Sequence, residues 1–442
     1  MKMIVTELAE FCHATTTAPD AFNAARKALL DLIGVAAAGA STPAGSASRN
    51  AARELWGEGP AGLWFSKRRL PTAGAAFVNA TYAAALDLDD GHRGAAGHPG
   101  AAIIPAVLSV GETVACNADQ LLTAIALGYE VAIRVAASRN IGGLRTTDSG
   151  LWCGYGVAAA AAWLQGLPAS LIAHAMAIAG QTSTSQSATG WTRFGHTVKE
   201  GIPWATANAL KAVALAAHGH RGPLDILDEP AQYDHLKLTG QLGRDWTVGQ
   251  VYFKRYSCCR WAHAAIDAAL EIKRTHSLAS ENIEAITLET FERALTLPNE
   301  CEPETNEAAQ YSIPFCIALA LVHGPVSLLP LDDRHLVDGQ VLALSRKVRL
   351  TAAEDYSRSF PESTPSRVTL TTSVGQYTQE VITPLGEPAN PLLLADLEAK
   401  FDHLSHLSPA RPGQMQTIKQ AIAALDASAD LRELFAALEF AL

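Results

Sequence analysis

Residues 85–100 read A-L-D-L-D-D-G-H-R-G-A-A-G-H-P-G. Three carboxylates (Asp87, Asp89, Asp90), two imidazoles (His92, His98) and Arg93 fall within twelve residues. The flanks are apolar and alanine-rich, A-A-F-V-N-A-T-Y-A-A-A before and A-A-I-I-P-A-V-L after. A charged island between two runs that must be buried reads as the wall of a site. An imidazole and a carboxylate aimed into a pocket suit proton transfer. The competing reading is structural: Asp89 or Asp90 caps a helix or ties down the loop, and the histidines bind carbonyls. A third reading is a metal site, although the Asp and His spacing matches no metal-ligand motif. Gly91, Gly94, Gly97 and Pro99 forbid a long helix, so from Gly91 on the island is a turn-rich loop.

Three further stretches carry reactive side chains. Residues 192–205 (T-R-F-G-H-T-V-K-E-G-I-P-W-A) place Lys199 at the mouth of an apolar helix. A lysine there is either a base with a depressed pKa or a cation holding a carboxylate. Gly201 and Pro203 permit a tight helix entry whose N–H groups suit an anion. The alternative is a snorkelling lysine beside Glu200. Residues 251–263 (V-Y-F-K-R-Y-S-C-C-R-W-A-H) gather three cations, two cysteines and a histidine next to a change in chain pattern, where an inter-domain cleft is expected. Against that, Cys258 and Cys259 suit small buried positions, Arg260 a partner acid and Trp261 a core. Residues 146–156 (T-T-D-S-G-L-W-C-G-Y-G) could present Tyr155 or backbone N–H groups, and a turn before a core helix is the favoured reading. Their glycines fit neither dinucleotide nor P-loop patterns.

The elements that position these residues follow from periodicity. Helices are expected over residues 4–17, 19–40, 72–85, 105–114, 118–137, 156–164, 168–180 and 204–218. Residues 181–190 are small, polar and poor in helix propensity. Residues 1–265 thus form a large all-α domain. Beyond His263, residues 282–297 begin with strand alternation, 308–323 are helical and 347–350 alternate again. Residues 367–372 and 377–384, joined through S-V-G-Q, read as a hairpin. Residues 391–404 and 414–441 return to helix. The expected fold is mostly α with a smaller α+β lid domain at 266–400, the C-terminal helices of about 401–442 packing back on the large domain.

Composition narrows the function. A chain of 442 residues exceeds one core, and 48% hydrophobic with 18% charged residues gives a large interior. A net charge of −10 without a basic block argues against nucleic acid. Seven cysteines, an odd number with no C-x-x-C pair, point to free thiols in a reducing cytosol. The N-terminal apolar stretch contains acids, unlike a signal peptide. No uninterrupted apolar run reaches the roughly eighteen residues of a membrane span.

Together, D-L-D-D…G-H-P-G, G-Y-G-V-A-A-A-A-A-W-L-Q-G-L, V-K-E-G-I-P-W-A and K-R-Y-S-C-C-R-W-A-H-A-A-I-D-A resemble the MmgE/PrpD family. The likeness continues through Y-S-I-P-F-C-I-A-L-A-L to G-E-P-A-N-P-L and so covers essentially the whole chain. It implies a helical domain, an α+β lid, a site in the cleft between them, a homodimer, and neither metal nor organic cofactor. Family activities include 2-methylcitrate dehydration, cis-aconitate decarboxylation and iminodisuccinate epimerisation. The lyase pattern maps an Asp onto Asp87, a His onto His98, and lysines onto Lys199 and Lys254. It departs at Gly91, where a hydroxyl is missing, near Thr147, where a His is common, and at Cys259, where a His is common. The His that usually follows the lysine motif is also absent, and His196 precedes Lys199 instead.

Epimerisation needs fewer groups than dehydration or decarboxylation, namely a base, an acid on the opposite face, and cations for an enediolate-like intermediate. The expected reaction is therefore cofactor-independent epimerisation of a small polycarboxylate such as iminodisuccinate. The alternatives are a lyase and an inactive polycarboxylate-binding homologue. Lys199 and His98 form the expected proton-transfer pair, with Asp87 orienting His98 and Tyr155 completing the catalytic set. Arg93, Lys254 and Arg260 are expected to hold carboxylates, with His92 and Cys259 on the same wall. Asp89 and Asp90 are assigned to loop structure, as is His92 apart from that place.

Overall fold

The computed structural model of the chain describes residues 2–183, 195–411, 413–425 and 430–439. Its architecture is mostly α with a smaller α+β domain. Five apolar helices, Thr72–Ala84, Gly100–Val114, Ala118–Ala137, Cys153–Leu164 and Ile202–Ala217, pack against one another at the centre of the larger part. Alanine and glycine make this possible by letting backbones approach. A Cβ on Gly156 would lie 2.1 Å from the carbonyl oxygen of Gly128 on the neighbouring helix. Ala118–Ala137 is long and apolar enough to cross a membrane, and here it is a buried core helix.

The first core runs from Ile4 to Phe253 and resumes from Leu392 to Leu438; the second runs from Tyr256 to Leu370. The change of core therefore falls between Phe253 and Tyr256, upstream of the 265/266 boundary expected from pattern. The reason is that helix His263–Thr275 buries its apolar face against the sheet of the smaller domain. That sheet has four strands in the order Val348–Ala352, Ile283–Thr290, Ser366–Thr372, Gly375–Val381. The first pair is parallel, with Ile286 opposite Val348. The others are antiparallel, with Leu288 opposite Val368 and a hairpin closing at Thr372 and Gly375. In Ser366–Thr372 every second residue is buried, as a half-covered sheet requires.

Several boundaries differ from the periodic reading. The helix expected at 105–114 starts at Gly100, because Asp90 Oδ1 accepts the Gly100 N–H at 3.0 Å and caps it. The helix expected at 414–441 is two, Gln414–Ala423 and Arg432–Leu438, and residue 441 lies outside the described residues. Of the polar stretch 181–190, residues 184–190 also lie outside them. Residues 57–71 form a small strand pair, Ala61–Gly62 with Arg69–Leu70.

Candidate active site

The island is held by side chains from the second half of the chain. Helix Thr72–Ala84 ends just before it, and the carbonyls that follow have no helical partners. Three successive ones are satisfied from afar: Leu86 O by Ser257 Oγ at 2.5 Å, Asp87 O by Lys254 Nζ at 2.9 Å, and Leu88 O by Lys400 Nζ at 2.9 Å. Lys400 also forms an ion pair with buried Asp31 at 2.7 Å. Gly91 then pairs its backbone with Tyr252. These anchors hold Asp87 in left-handed backbone conformation, φ +51°. Lys199 and Glu200, in the short turn before helix Ile202–Ala217, are also left-handed, at φ +50° and +56°. Non-glycine residues pay for this conformation with about 1–3 kcal/mol each, and such strain concentrates at functional sites.

His98 is the electrostatic centre. Its Nδ1 lies 3.1 Å from Asp89 Oδ2, and its Nε2 lies 3.9 Å from both Asp87 Oδ1 and Glu200 Oε1. Its backbone N–H donates to Ser149 Oγ at 2.9 Å, and that hydroxyl donates to Glu200 Oε2 at 2.6 Å. Burial opposes charge on the ring, but Asp89 and then Glu200 outweigh it and lift the pKa from 6.5 to about 9. His98 is thus an imidazolium at neutral pH. Asp87 pairs with Lys254 Nζ at 3.0 Å. Burial would raise its pKa, yet Lys254, Lys199 and His98 hold it down at about 2. Lys199 has the opposite character. Burial pulls its pKa below the usual lysine value, against the field of Asp87. Its Nζ donates to Gln310 Oε1 and lies 5.5 Å from the Tyr311 ring centre.

Asp87, His98, Glu200, Tyr252, Cys259 and Tyr311 line a partly enclosed cavity of about 40 Å³. That is room for a few waters, at the roughly 10–15 Å³ of such space that each needs. Lys199 lines a second and larger cavity of about 830 Å³, together with Leu86, Trp204, Glu307 and Gln310. Leu86 and Asp87, adjacent in the chain, therefore face different spaces. Asp87, Asp89 and His98 place ligand atoms within 4.8 Å of one another. They fit a metal poorly, because the Lys254 ammonium already sits on Asp87 and His98 is itself cationic.

Residues 6–241 match the MmgE/PrpD N-terminal domain, and residues 256–426 match the MmgE/PrpD C-terminal domain. The chain belongs to the MmgE/PrpD family. Among its relatives is the cis-aconitate decarboxylase-like protein oryM of Aspergillus oryzae, 24% identical over 94% of this chain and 92% of the relative. A cis-aconitate decarboxylase of Aspergillus terreus is 25% identical, covering 86% of this chain and 85% of its own length. The human cis-aconitate decarboxylase is 26% identical over 80% of this chain and 75% of its own.

The geometry places several of the residues expected from sequence differently. Asp89, not Asp87, contacts His98 Nδ1, because the turn at Asp87 directs that carboxylate to Lys254. Asp90 is structural, bound by Tyr129 Oη at 2.7 Å and Gly100 N. Lys254 is fully buried on Asp87 and does not line the cavity. Arg93 and Arg260 do line it, but both reach Glu387, Arg93 Nε at 3.0 Å and Arg260 Nη2 at 2.7 Å. Arg260 Nη1 is held by Leu385 O, so this guanidinium is an anchor between segments more than a carboxylate clamp. His92 is on the wall as expected. Burial lowers its pKa to about 4, so it is neutral, and its Nδ1 accepts the Ala95 N–H. Cys259 also lines the cavity, with its thiol kept protonated by burial.

Tyr155 lies elsewhere, in the helical core against Gly180, where a Cβ would stand 2.1 Å from its hydroxyl. It points away because its helix turns that face toward Ala169–Gln181. Glu200, Ser149, Tyr252, Tyr311 and Glu387 were not singled out in the sequence. Tyr311 and Glu387 sit inside Y-S-I-P-F and G-E-P-A-N-P-L, motifs read there only for likeness.

Proposed function

We propose that this protein is an enzyme that moves a proton at a carbon next to a carboxylate of a small polycarboxylate, and that its reaction is epimerisation. The observation that carries this reading is the opposite tuning of two groups around Asp87: His98 held as an acid and Lys199 shifted toward the free amine. Lys199 takes the α-proton when in its free-amine form, and the C–H electron pair moves into the carboxylate as an enediolate. His98 then returns a proton from Nε2 to the same carbon on the opposite face. Desolvated charges and donors that stabilise such an intermediate act strongly in a dry site. The 40 Å³ cavity admits no polycarboxylate and Lys199 faces the other cavity, so the reading requires the wall between the two spaces to open during turnover.

A second reading is decarboxylation. It is favoured by the relatives, which are cis-aconitate decarboxylases, and by His98 as a ready proton donor. There the C–C bond breaks, CO₂ leaves, and the carbon takes the His98 proton. Proton NMR of a panel of di- and tricarboxylates in D₂O separates the two. Deuterium uptake with loss of optical rotation in a single-isomer α-substituted succinate supports epimerisation. Its absence, with CO₂ release from an unsaturated tricarboxylate, selects the lyase. The reading also holds that the enzyme is a homodimer and works without metal or organic cofactor. Light scattering and elemental analysis of the active protein check both.

A further inference from the structure

Tyr252 stands in the catalytic cavity with Asp87 and His98. Its backbone pairs both ways with Gly91, Tyr252 N to Gly91 O at 2.8 Å and Gly91 N to Tyr252 O at 3.1 Å. The phenol lies over that glycine so closely that a Cβ on Gly91 would fall 2.3 Å from the hydroxyl oxygen. Gly91 is therefore the residue that leaves room for the hydroxyl. The ring is held by two guanidinium groups, Arg93 at 5.1 Å and Arg260 at 4.7 Å from its centre. Both are fixed by the same carboxylate, Glu387. Cation–ring contacts of this kind favour one ring position. Glu387, Arg93 and Arg260 thus form a clamp around one side chain, and the clamped phenol borders the cavity.

We propose that Tyr252 is a catalytic residue that donates its phenolic hydrogen to the carboxylate oxygen on which charge builds when the α-proton leaves. The inference rests on the carbon-acid reading above. No proton needs to transfer to the enediolate: the O–H stays on Tyr252, and its hydrogen bond shortens as the oxygen gains charge. Burial keeps the phenol protonated, with a pKa pushed up to about 12 despite Lys254 and the two arginines. A preorganised donor of this type is worth about 10²–10³-fold in kcat. The role also gives Arg93 and Arg260 a function other than gripping substrate: they position the donor.

The test is Tyr252→Phe, which keeps the ring and both cation contacts. Wild-type enzyme is first run against the polycarboxylate panel in D₂O. If the wild type exchanges no proton and turns over nothing, the carbon-acid reading fails and this inference with it. If the wild type is active, Tyr252→Phe is expected to lower kcat and α-proton exchange together by about 10²-fold, with KM within a few-fold and an unchanged melting temperature. Full kcat in the variant, or a raised KM with kcat intact, overturns the inference while leaving the reaction standing. Gly91→Ala, which pushes on the hydroxyl without removing it, is expected to reproduce the kcat loss. A Gly91→Ala protein that folds with wild-type kcat counts against the proposed position of the donor.

Discussion

Asp89→Asn isolates the group that makes His98 an acid. The lift of His98 from 6.5 to about 9 corresponds to about 3 kcal/mol at roughly 1.4 kcal/mol per pKa unit. Asp89, 3.1 Å from Nδ1, is the largest favourable contribution, ahead of Glu200 at 3.9 Å from Nε2. Asparagine keeps an oxygen for the Nδ1 hydrogen bond and removes only the charge. The alkaline limb of kcat/KM, which reports loss of the imidazolium in the free enzyme, is expected near pH 9 in the wild type and closer to neutrality in the variant. Stability follows the same group. A raised folded-state pKa contributes stability fully below the unfolded value of 6.5 and loses it as pH rises through about 9. The wild type should thus lose up to about 3 kcal/mol across that window through His98, and Asp89→Asn should show a flatter profile. Titration of the His98 C2 proton by NMR reads the shift directly. An alkaline limb and a ring titration that stay put in Asp89→Asn would refute the assignment.

Other outcomes follow from the same geometry. Lys199→Met is expected to lower α-proton exchange by about 10²–10⁴-fold without loss of fold, because it removes the base and keeps the aliphatic stem, measured by deuterium incorporation. Asp90→Asn is expected to gain melting temperature relative to wild type as pH rises from about 4 to about 8, the gap opening above the unfolded pKa and levelling above about 7. Burial, outweighing the hydrogen bond from Tyr129, raises the Asp90 pKa to about 7, so folding of the wild type weakens as pH rises from the unfolded 3.8 through 7. Lys400→Met leaves Asp31 buried without its cation and Leu88 O without its donor. A loss of about 3–5 kcal/mol in urea unfolding is expected, with activity lost as the island shifts.

Much of this protein was legible in its sequence because it depends on short-range chemistry. Alanine-rich periodicity marks the buried helices, alternation marks the hairpin, and a charged run between apolar segments marks the site. His98 and Lys199 stand out for the same reason, as titratable groups beside segments that must be buried. Which group pairs with which was settled only by tertiary packing. Glu387 takes Arg93 and Arg260, far from it in the chain, and Lys254 takes Asp87. A left-handed turn at Asp87, imposed by Ser257, Lys254 and Lys400 on three successive carbonyls, leaves Asp89 to face His98. Residue types announce charges, but a buried charge takes whichever partner the fold brings within hydrogen-bond reach. In this chain those partners come from Lys254 and Ser257, from Glu387, and from Lys400 on helix Leu394–Ser405.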